Sequence, residues 1–218
     1  QRERPAMARV GSALHGERLR LQAPGGDGLE VPLDGGEAVR EVVVWGDRVA
    51  ARDLGDEAAV FLSDHLGVAA RLVRMPPEAR RPVDPAHGRL GDLVSFADGF
   101  PFLLVNQASL VDLGERLGAP VDVRRFRPNL VVEGAEPWAE DGWRALSIGG
   151  VAFVACKPCS RCSIVDVDPD RGERGRGPLA TLSTFRRRGG RVLFGQNLVH
   201  DGRGTLREGD PVALGGAV

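Results

Sequence analysis

Glycine and proline divide this chain into many short segments. They supply 30 and 15 of its 218 residues, about a fifth of the total. Such a content of turn-forming residues fits many short elements joined by turns better than it fits a helical bundle. The length corresponds to one large or two small domains with a substantial core. We therefore predict a mostly-β protein with a few short helices.

Net charge and hydropathy exclude several classes of partner. The 29 basic residues nearly balance 30 acidic ones, which removes any global electrostatic case for nucleic acid or an anionic membrane. No apolar run approaches the ~20 residues that span a bilayer, and a hydrophobic content of 42% argues against disorder. We expect a globular chain that binds neither nucleic acid nor a membrane.

Alternating and β-branched segments predict the strands. Leu19 and Leu21 fall on one side of a period-2 strand, with arginines on the other side. Hairpins are predicted where β-branched or apolar runs meet Gly46-Asp47 and Gly149-Gly150. Further strands are predicted over residues 29–33, 71–75, 100–107, 162–170, 191–200 and 210–216, and on either side of a proline turn within 121–134.

Three segments predict short helices. Residues 56–66 carry apolar side chains at helical spacing, with acidic residues in the first turn. Residues 108–118 place three leucines on one face, and Gly118 ends the helix. The third helix is predicted over 179–188. The proline-rich stretch 75–92 is the best candidate for an interdomain linker.

The three cysteines lie within seven residues, at Cys156, Cys159 and Cys162. Their number is odd and they close no long loop, and the charged opening QRERPAMARV lacks the apolar region of a signal peptide. We therefore expect a reducing, cytoplasmic setting and a working thiol or a metal site.

Several sites are consistent with the C-x-x-C-x-x-C spacing. An iron–sulfur cluster would need a fourth cysteine where Asp166 stands, and structural zinc would need a fourth ligand that no second pair supplies. A thioredoxin-like dithiol would open a helix, whereas this segment is strand-like. Packing as a small core residue explains Cys156. It explains Cys162 less well, because the basic neighbours Lys157 and Arg161 favour a thiolate, which binds soft metals.

Three further segments carry groups that bind anions or heterocycles. A proline biases Arg127 toward an extended conformation, so that Arg127 and Asn129 project from a rigid corner as a phosphate fork and an amide. A helix start at 106–109 offers backbone N–H groups, and Gly195 permits close approach of a ligand or another backbone. The structural alternatives are a surface arginine beside a turn, N-capping by Ser109, and a strand bulge.

A basic run extends from residue 171 to residue 191. It holds seven arginines and one glutamate. This run fits a rim that attracts an anionic cofactor or substrate, and it also fits a solvated mobile loop.

Six blocks in order resemble a MOSC domain, the molybdenum cofactor sulfurase C-terminal domain. They are FLLVNQASL, RFRPNLVVEG, WxxLxIG, KPCSRCxIxxVDPDxG, PLATLxxFR and FGQN. The branch they resemble includes the mitochondrial amidoxime-reducing component and its bacterial relatives. QRERPAMARV is similar to a strand of the companion N-terminal β-barrel domain. The resemblance implies a MOSC-type β-barrel with a few short helices at 83–218, preceded by a smaller, truncated β-barrel-like domain at 1–82.

The resemblance also implies a cofactor and a site. The cofactor is the molybdenum cofactor (Mo-molybdopterin), with Cys162 as the catalytic thiolate bound to the metal and Cys159 outside the ligand set. The residues that would hold the pterin or its phosphate are Ser109, Arg127, Asn129, Arg161 and Asn197. Two features depart from the family: Gln107 stands where the mitochondrial relatives have an aspartate, and the early P-x-K-S and D-R segments would lie before Gln1.

The implied activity is that of an oxidoreductase that reduces N-hydroxylated or N-/S-oxide small molecules. Because the ferredoxin domain fused to some relatives is missing, electrons would come from a separate electron-transfer protein of the ferredoxin, flavoprotein or cytochrome type. A non-catalytic cofactor or sulfur carrier and a zinc or iron site built from all three cysteines remain open. Pyridoxal phosphate binding is also ascribed to the family, and its Schiff base could involve only Lys157, the single lysine of the chain.

Overall fold

The computed structural model describes residues 2–36 and 38–215. Gln1, Glu37 and residues 216–218 lie outside this described part, and so does the last position of the strand predicted over 210–216. Within it, no helix is long and apolar enough to cross a membrane. The chain divides into two compact units, Gln1–Arg81 with Val167–Arg174 and Pro82–Asp166 with Gly175–Val218.

In its described residues, the first unit holds two three-stranded antiparallel sheets, one α-helix and a 3-10 helix at Pro5–Arg9. The sheets have the orders β1-β2-β3 and β4-β5-β6. In β2 the predicted alternation is confirmed, since Leu19 and Leu21 turn inward and the arginines beside them are exposed. The helix α1 spans the predicted residues and ends at Gly67 in a left-handed conformation. The elements are β1 (Gly11–His15), β2 (Arg18–Gln22), β3 (Gly28–Pro32), β4 (Val39–Val44), β5 (Asp47–Asp53), α1 (Asp56–Leu66) and β6 (Val73–Arg74).

A buried carboxylate lies at the end of β5. Asp53 is 2% exposed and accepts hydrogen bonds from the guanidinium groups of Arg40 and Arg71. The backbone N–H of Gly55 donates a further bond at 2.9 Å. Hydrogen bonding to Arg71 is the main cause that holds the pKa of the Asp53 carboxyl well below its usual range. The fold of this unit therefore depends on a buried negative charge.

The second unit is built around one sheet that forms a nearly closed barrel. The strand order is β13-β9-β10-β12-β7-β8, with β11 paired to β12. The pair β7-β8 is parallel and the other pairs are antiparallel. The elements are β7 (Phe102–Asn106), α2 (Gln107–Leu117), β8 (Leu130–Val132), β9 (Ala145–Ile148), β10 (Val151–Arg161), α3 (Pro178–Phe185), β11 (Arg187–Arg188), β12 (Arg191–Asp201) and β13 (Val212–Leu214).

The strands β10 and β12, of 11 residues each, form the centre of this sheet. Phe194 and Phe126 pack with apolar side chains of α2 and α3 in one buried cluster. Phe153 and Leu198 belong to a second cluster. A strand with apolar cover on both faces reads as a nearly continuous apolar run, as the first half of β10 (VAFVAC) does. The predicted mostly-β fold with a few short helices is confirmed.

Gly195 interrupts β12 with a φ of 77°. A Cβ at this position would lie 2.6 Å from the carbonyl oxygen of Leu104 in β7, which is inside any normal contact distance. The close approach expected at this glycine is therefore made by a neighbouring strand of the protein itself.

Two predicted strands are wrong. At Val123–Arg125 the side chain of Asp122 accepts a hydrogen bond from the backbone N–H of Arg124 at 2.8 Å and starts a 3-10 helix. Short polar side chains compete with strand pairing in this way. The segment Ser163–Asp166 also forms a 3-10 turn, and Val165 within it is buried in the core. Both errors come from local turns that apolar alternation does not reveal.

Candidate functional site

The strand β10 carries two of the three cysteines, and Cys162 follows its last residue directly. None of the three cysteines forms a disulfide, and all three are partly exposed. Cys156 packs beside the buried cluster that contains Phe100 and Val199, and burial raises the pKa of its thiol. Cys156 therefore has the character of a core residue, whereas Cys162 lies where the chain leaves the sheet.

The three thiols do not assemble into one ligand set. Among residues 2–36 and 38–215, no group of three or more His, Cys, Asp or Glu side chains is suited to hold a metal ion. Structural zinc and iron–sulfur clusters need three or four such protein ligands together. The alternative of a zinc or iron site built from all three cysteines is therefore not supported, whereas a metal bound through one thiolate remains compatible with the structure.

Arg161 ties the end of β10 to the neighbouring corner. Its Nη2 donates to the carbonyl oxygen of Phe126 at 2.9 Å, and its guanidinium lies 5.2 Å from the centre of the Phe126 ring. Its Nη1 lies 2.9 Å from the sulfur of Cys159. Its Nε is buried and has no hydrogen-bond partner in the described chain. The guanidinium of Arg161, the residue before Cys162, is thus held against Phe126, which directly precedes the corner at 127–129.

The corner at 127–129 differs in conformation from the prediction. Arg127 has a φ of 56° and is left-handed, not extended. The preceding 3-10 turn and the burial of Phe126 force the chain to reverse here, which overrides the local effect of the proline. Asn129 is held against β7, since its Oδ1 accepts from the backbone N–H of Leu103 at 2.8 Å and its own N–H donates to the Leu103 carbonyl at 2.9 Å. These two hydrogen bonds anchor the corner to β7, and Arg127 is exposed on it.

Asn197 lies on the same row of the sheet as this corner. In β12 it is opposite Leu103 of β7 and Lys157 of β10, and directly opposed residues point to the same face. Leu103 is also the residue whose backbone N–H donates a hydrogen bond to Asn129. The amide of Asn197 is partly exposed and makes no side-chain hydrogen bond within the described residues, so it is available to a ligand. Lys157 places its ammonium 5.1 Å from the centre of the Phe100 ring.

Ser109 lies in the protein interior. Its hydroxyl donates to Glu140 Oε2 at 2.8 Å and accepts from the backbone N–H of Trp138 at 2.7 Å. The side chain is fully buried. The structural alternative, N-capping by Ser109, is wrong: Asn106 caps α2 by accepting from the N–H of Ala108 at 3.1 Å. Because the Ser109 hydroxyl makes its hydrogen bonds inside the protein, Ser109 is not among the residues proposed to bind the cofactor.

Sequence reasoning missed two acidic residues behind α2. Glu140 is fully buried; its Oε2 also accepts from Asn106 at 3.1 Å, whereas its Oε1 has no partner in the described chain. Burial raises the pKa of this carboxyl, against the opposing effect of its hydrogen bonds. Asp141 accepts two bonds of 2.7 Å from Arg186, which lies over the Trp138 ring at 4.4 Å. The available signal was an acidic pair in the four-residue segment between two tryptophans.

The residues near the end of β10 suit a phosphate-bearing heterocyclic cofactor with a soft metal. They comprise a partly exposed thiol, guanidinium groups and amides, which match a metal, a phosphate and a heterocycle edge in turn. The buried, unpartnered Nε of Arg161 shows a cation with hydrogen-bonding capacity to spare. The donor set therefore fits the molybdenum cofactor. The predicted residues that the structure brings into this region are Arg127, Asn129, Arg161, Cys162 and Asn197.

Comparison with known proteins agrees with this chemistry. Residues 92–213 match the family model of the MOSC domain, and residues 1–69 match that of the MOSC N-terminal beta barrel domain. The chain is 36% identical to the mitochondrial amidoxime-reducing component 1 of Homo sapiens, over 98% of this chain and 68% of that protein.

A second group of relatives consists of molybdenum cofactor sulfurases. The chain is 34% identical to the one from Danio rerio over 86% of its own length, which spans 24% of that protein. The one from Oryza sativa is 31% identical, over 81% of this chain and 23% of the relative. The relatives named here each match more than four fifths of this chain. The chain belongs to the MOSC domain family.

Proposed function

We propose that this protein binds the molybdenum cofactor and reduces N-hydroxylated or N-/S-oxide small molecules. The observation that carries the proposal is the position of Cys162. This residue is partly exposed directly after β10, and it follows Arg161, whose guanidinium is hydrogen-bonded to the carbonyl of Phe126. The amidoxime-reducing components at 34–36% identity support the reductase activity. Electrons would come from a separate ferredoxin, flavoprotein or cytochrome.

In this mechanism each residue has one task. The thiolate of Cys162 would hold the metal, and Arg161 would place a positive charge next to it. Arg127 would bind phosphate oxygens, whereas Asn129 and Asn197 would hydrogen-bond the edge of the pterin. When bound, the cofactor supplies the redox chemistry that removes oxygen from the substrate; the protein supplies binding and orientation.

A second candidate function is a non-catalytic carrier of the cofactor or its sulfur. It is favoured by the sulfurase relatives, whose match covers 86% of this chain in Danio rerio. Under this alternative the same residues would bind the cofactor, so binding alone does not separate the two functions.

Two cysteine variants test the proposal. After expression with abundant molybdate, Cys162→Ser should lose bound molybdenum and activity, whereas Cys156→Ala should keep both, because Cys156 packs in the core. Elemental analysis gives the metal content, and turnover of an amidoxime or a sulfoxide with a supplied reductant gives the activity. Equal molybdenum retention in both variants would contradict the role of Cys162. Metal binding without turnover of any such substrate would favour the carrier.

A further inference from the structure

We propose that a cleft between α3 and the β11–β12 hairpin binds the phosphate group of a small phosphorylated molecule. The cleft lies wholly in the second unit and has a volume of about 400 Å³. Its polar and charged lining consists of Ser160, Arg161, Asp166, Ser183, Arg187 and Arg191. The inference concerns a ligand other than the molybdenum cofactor and does not depend on the proposed reductase activity.

The register of the sheet places two arginines on one face of the cleft. Val192 of β12 is directly opposite Arg187 of β11 on one side and opposite Arg161 of β10 on the other. Directly opposed residues in an antiparallel sheet point to the same face. The two arginines therefore flank a small apolar side chain, with α3 above them. Arg191 precedes Val192 and does not share the face of Arg187 and Arg161, because successive strand residues alternate in direction, but it is also among the residues that line the cleft.

Hydrogen bonding separates the arginines of this segment into two groups. Arg186 and Arg188 both reach Asp141, at 2.7 and 3.4 Å. Arg187 and Arg191 are exposed and make no side-chain hydrogen bond or ion pair within the described chain. These two guanidinium groups therefore keep all their donors for a ligand. The arginines of the basic run predicted from the sequence therefore differ in role. Arg186 and Arg188 form ion pairs with Asp141, whereas Arg187 and Arg191 line the cleft.

The remaining charges in the cleft leave an excess of positive charge. Three arginines face one aspartate, and Asp166 is engaged, because its Oδ1 accepts from the backbone N–H of Leu179 at 3.0 Å and holds the start of α3. Arg161 uses both Nη atoms on protein partners and keeps only its buried Nε unpartnered in the described chain, so we assign it a contribution of charge to this cleft. The direct anion contacts would come from Arg187 and Arg191.

The chemistry of the lining favours a phosphate monoester. The paired N–H donors of a guanidinium group match the oxygens of a phosphate dianion, which act as acceptors and never as donors. Ser160 is exposed and its hydroxyl makes no hydrogen bond in the described chain, so it supplies another donor. The volume exceeds that of a phosphate ion and falls in the range of small-molecule sites. The space beyond the phosphate therefore admits a small organic group.

The test starts with the cofactor-free protein. Inorganic phosphate and glycerol 3-phosphate are titrated separately, with glycerol as the neutral probe, and binding is followed by backbone amide NMR and calorimetry. We expect both anions, but not glycerol, to shift signals of residues 187–192 and of Ser183. The Arg187→Gln/Arg191→Gln variant should weaken binding by about tenfold or more, since charge-assisted hydrogen bonds are lost.

A matched control uses Arg203, which is exposed and has no partner in the described chain. Arg203→Gln removes one charge outside the cleft and should leave the affinity nearly unchanged. Equal weakening in the control and the double variant, or shifts spread over all basic surfaces, would overturn the proposal, because binding would then be non-specific.

The second arm repeats the titration with cofactor-loaded protein. Phosphate binding that is unchanged after loading supports a separate site. Loss of phosphate binding after loading would overturn the proposal, since the cleft would then belong to the cofactor. If the protein does not take up cofactor, the proposed reductase function fails, whereas the result for the cofactor-free protein still decides the phosphate site.

Discussion

Glu140 shows how a buried side chain couples this fold to pH. Its carboxyl is fully enclosed behind α2, and burial raises its pKa. The folded state therefore binds a proton more tightly than the unfolded state does. The resulting stabilisation is present below the unfolded pKa of about 4.3 and is lost as pH rises through the folded pKa.

We predict that Glu140→Gln will reduce this pH dependence. Glutamine keeps an oxygen acceptor for Ser109 and Asn106 but cannot ionise. The free energy of unfolding, measured in urea from about pH 4.5 to about pH 7.5, should fall more steeply with pH in the wild type than in the variant.

Glu208→Gln provides a control for this measurement because Glu208 is exposed. It should leave the slope close to that of the wild type. If wild type and Glu140→Gln lose stability with pH at the same rate, the buried carboxyl does not titrate as proposed.

At single residues, the sequence indicates chemical type better than environment. The preference for Cys156 as a core residue follows from its alternation with Val154, and the structure confirms its packing. The environment of Ser109 could not be predicted, because it depends on Glu140, which lies 31 positions further along the chain. The left-handed conformation of Arg127 likewise results from tertiary contacts that oppose a local preference.

Elements with local start and stop signals were the most predictable. Helix α1 has its predicted bounds, and α2 ends before Gly118, which adopts the left-handed conformation expected of a helix C-terminus. The hairpin at Gly149-Gly150 is also confirmed. The pairing of β7 with β12 joins segments about ninety residues apart, and no local pattern specifies such a register.

Asn106 joins the cap of α2 to the buried network behind it. It accepts from Ala108, and its Nδ2 donates to the carbonyl of Glu136 at 2.8 Å as well as to Glu140. We predict that Asn106→Ala will lower the free energy of unfolding by about 2–4 kcal/mol, because a cap is lost and buried acceptors lose their donor. Chemical denaturation measures this change.

A comparison with Asp122→Ala isolates the contribution of the buried network. Asp122 also caps a helical segment, and its side chain is more exposed than that of Asn106. Its loss should cost about 1 kcal/mol. Equal costs at the two positions would mean that the buried bonds of Asn106 add nothing to a simple cap.

In β12 we predict a large cost for Gly195→Ala. The positive φ is strained for alanine, and its Cβ would meet the carbonyl oxygen of Leu104. Together these effects should lower the free energy of unfolding by about 3 kcal/mol or more. Gly118→Ala has a similar φ of 78° but open space around the added carbon, so its cost should be about 1 kcal/mol. A cost at Gly195 no greater than that at Gly118 would exclude a role for the close strand contact.

At the scale of the whole molecule, the two units should respond to acid in opposite directions. The depressed pKa of Asp53 means that its stabilisation of the first unit is present above about pH 4 and is lost as pH falls toward the folded pKa. Glu140 has the opposite sign in the second unit. We therefore predict that residues 47–56 lose protection from amide hydrogen exchange before residues 102–117 when the pH is lowered to about 3.

The variant Asp53→Asn serves as the control for this order. It should destabilise the first unit at neutral pH, because Arg71 loses its buried partner, and it should make exchange in that unit less sensitive to acid. Simultaneous loss of protection in both segments of the wild type would contradict the prediction.

The assignment of residues 167–174 to the first unit has a consequence for the evolution of this chain. The backbone passes between the units at three points, after residues 81, 166 and 174. A gene fission near codon 82 would therefore leave an eight-residue piece of the first half encoded within the second. Recombination that replaced residues 1–81 by a foreign counterpart would leave residues 167–174 behind, so we expect this short segment to vary together with residues 1–81.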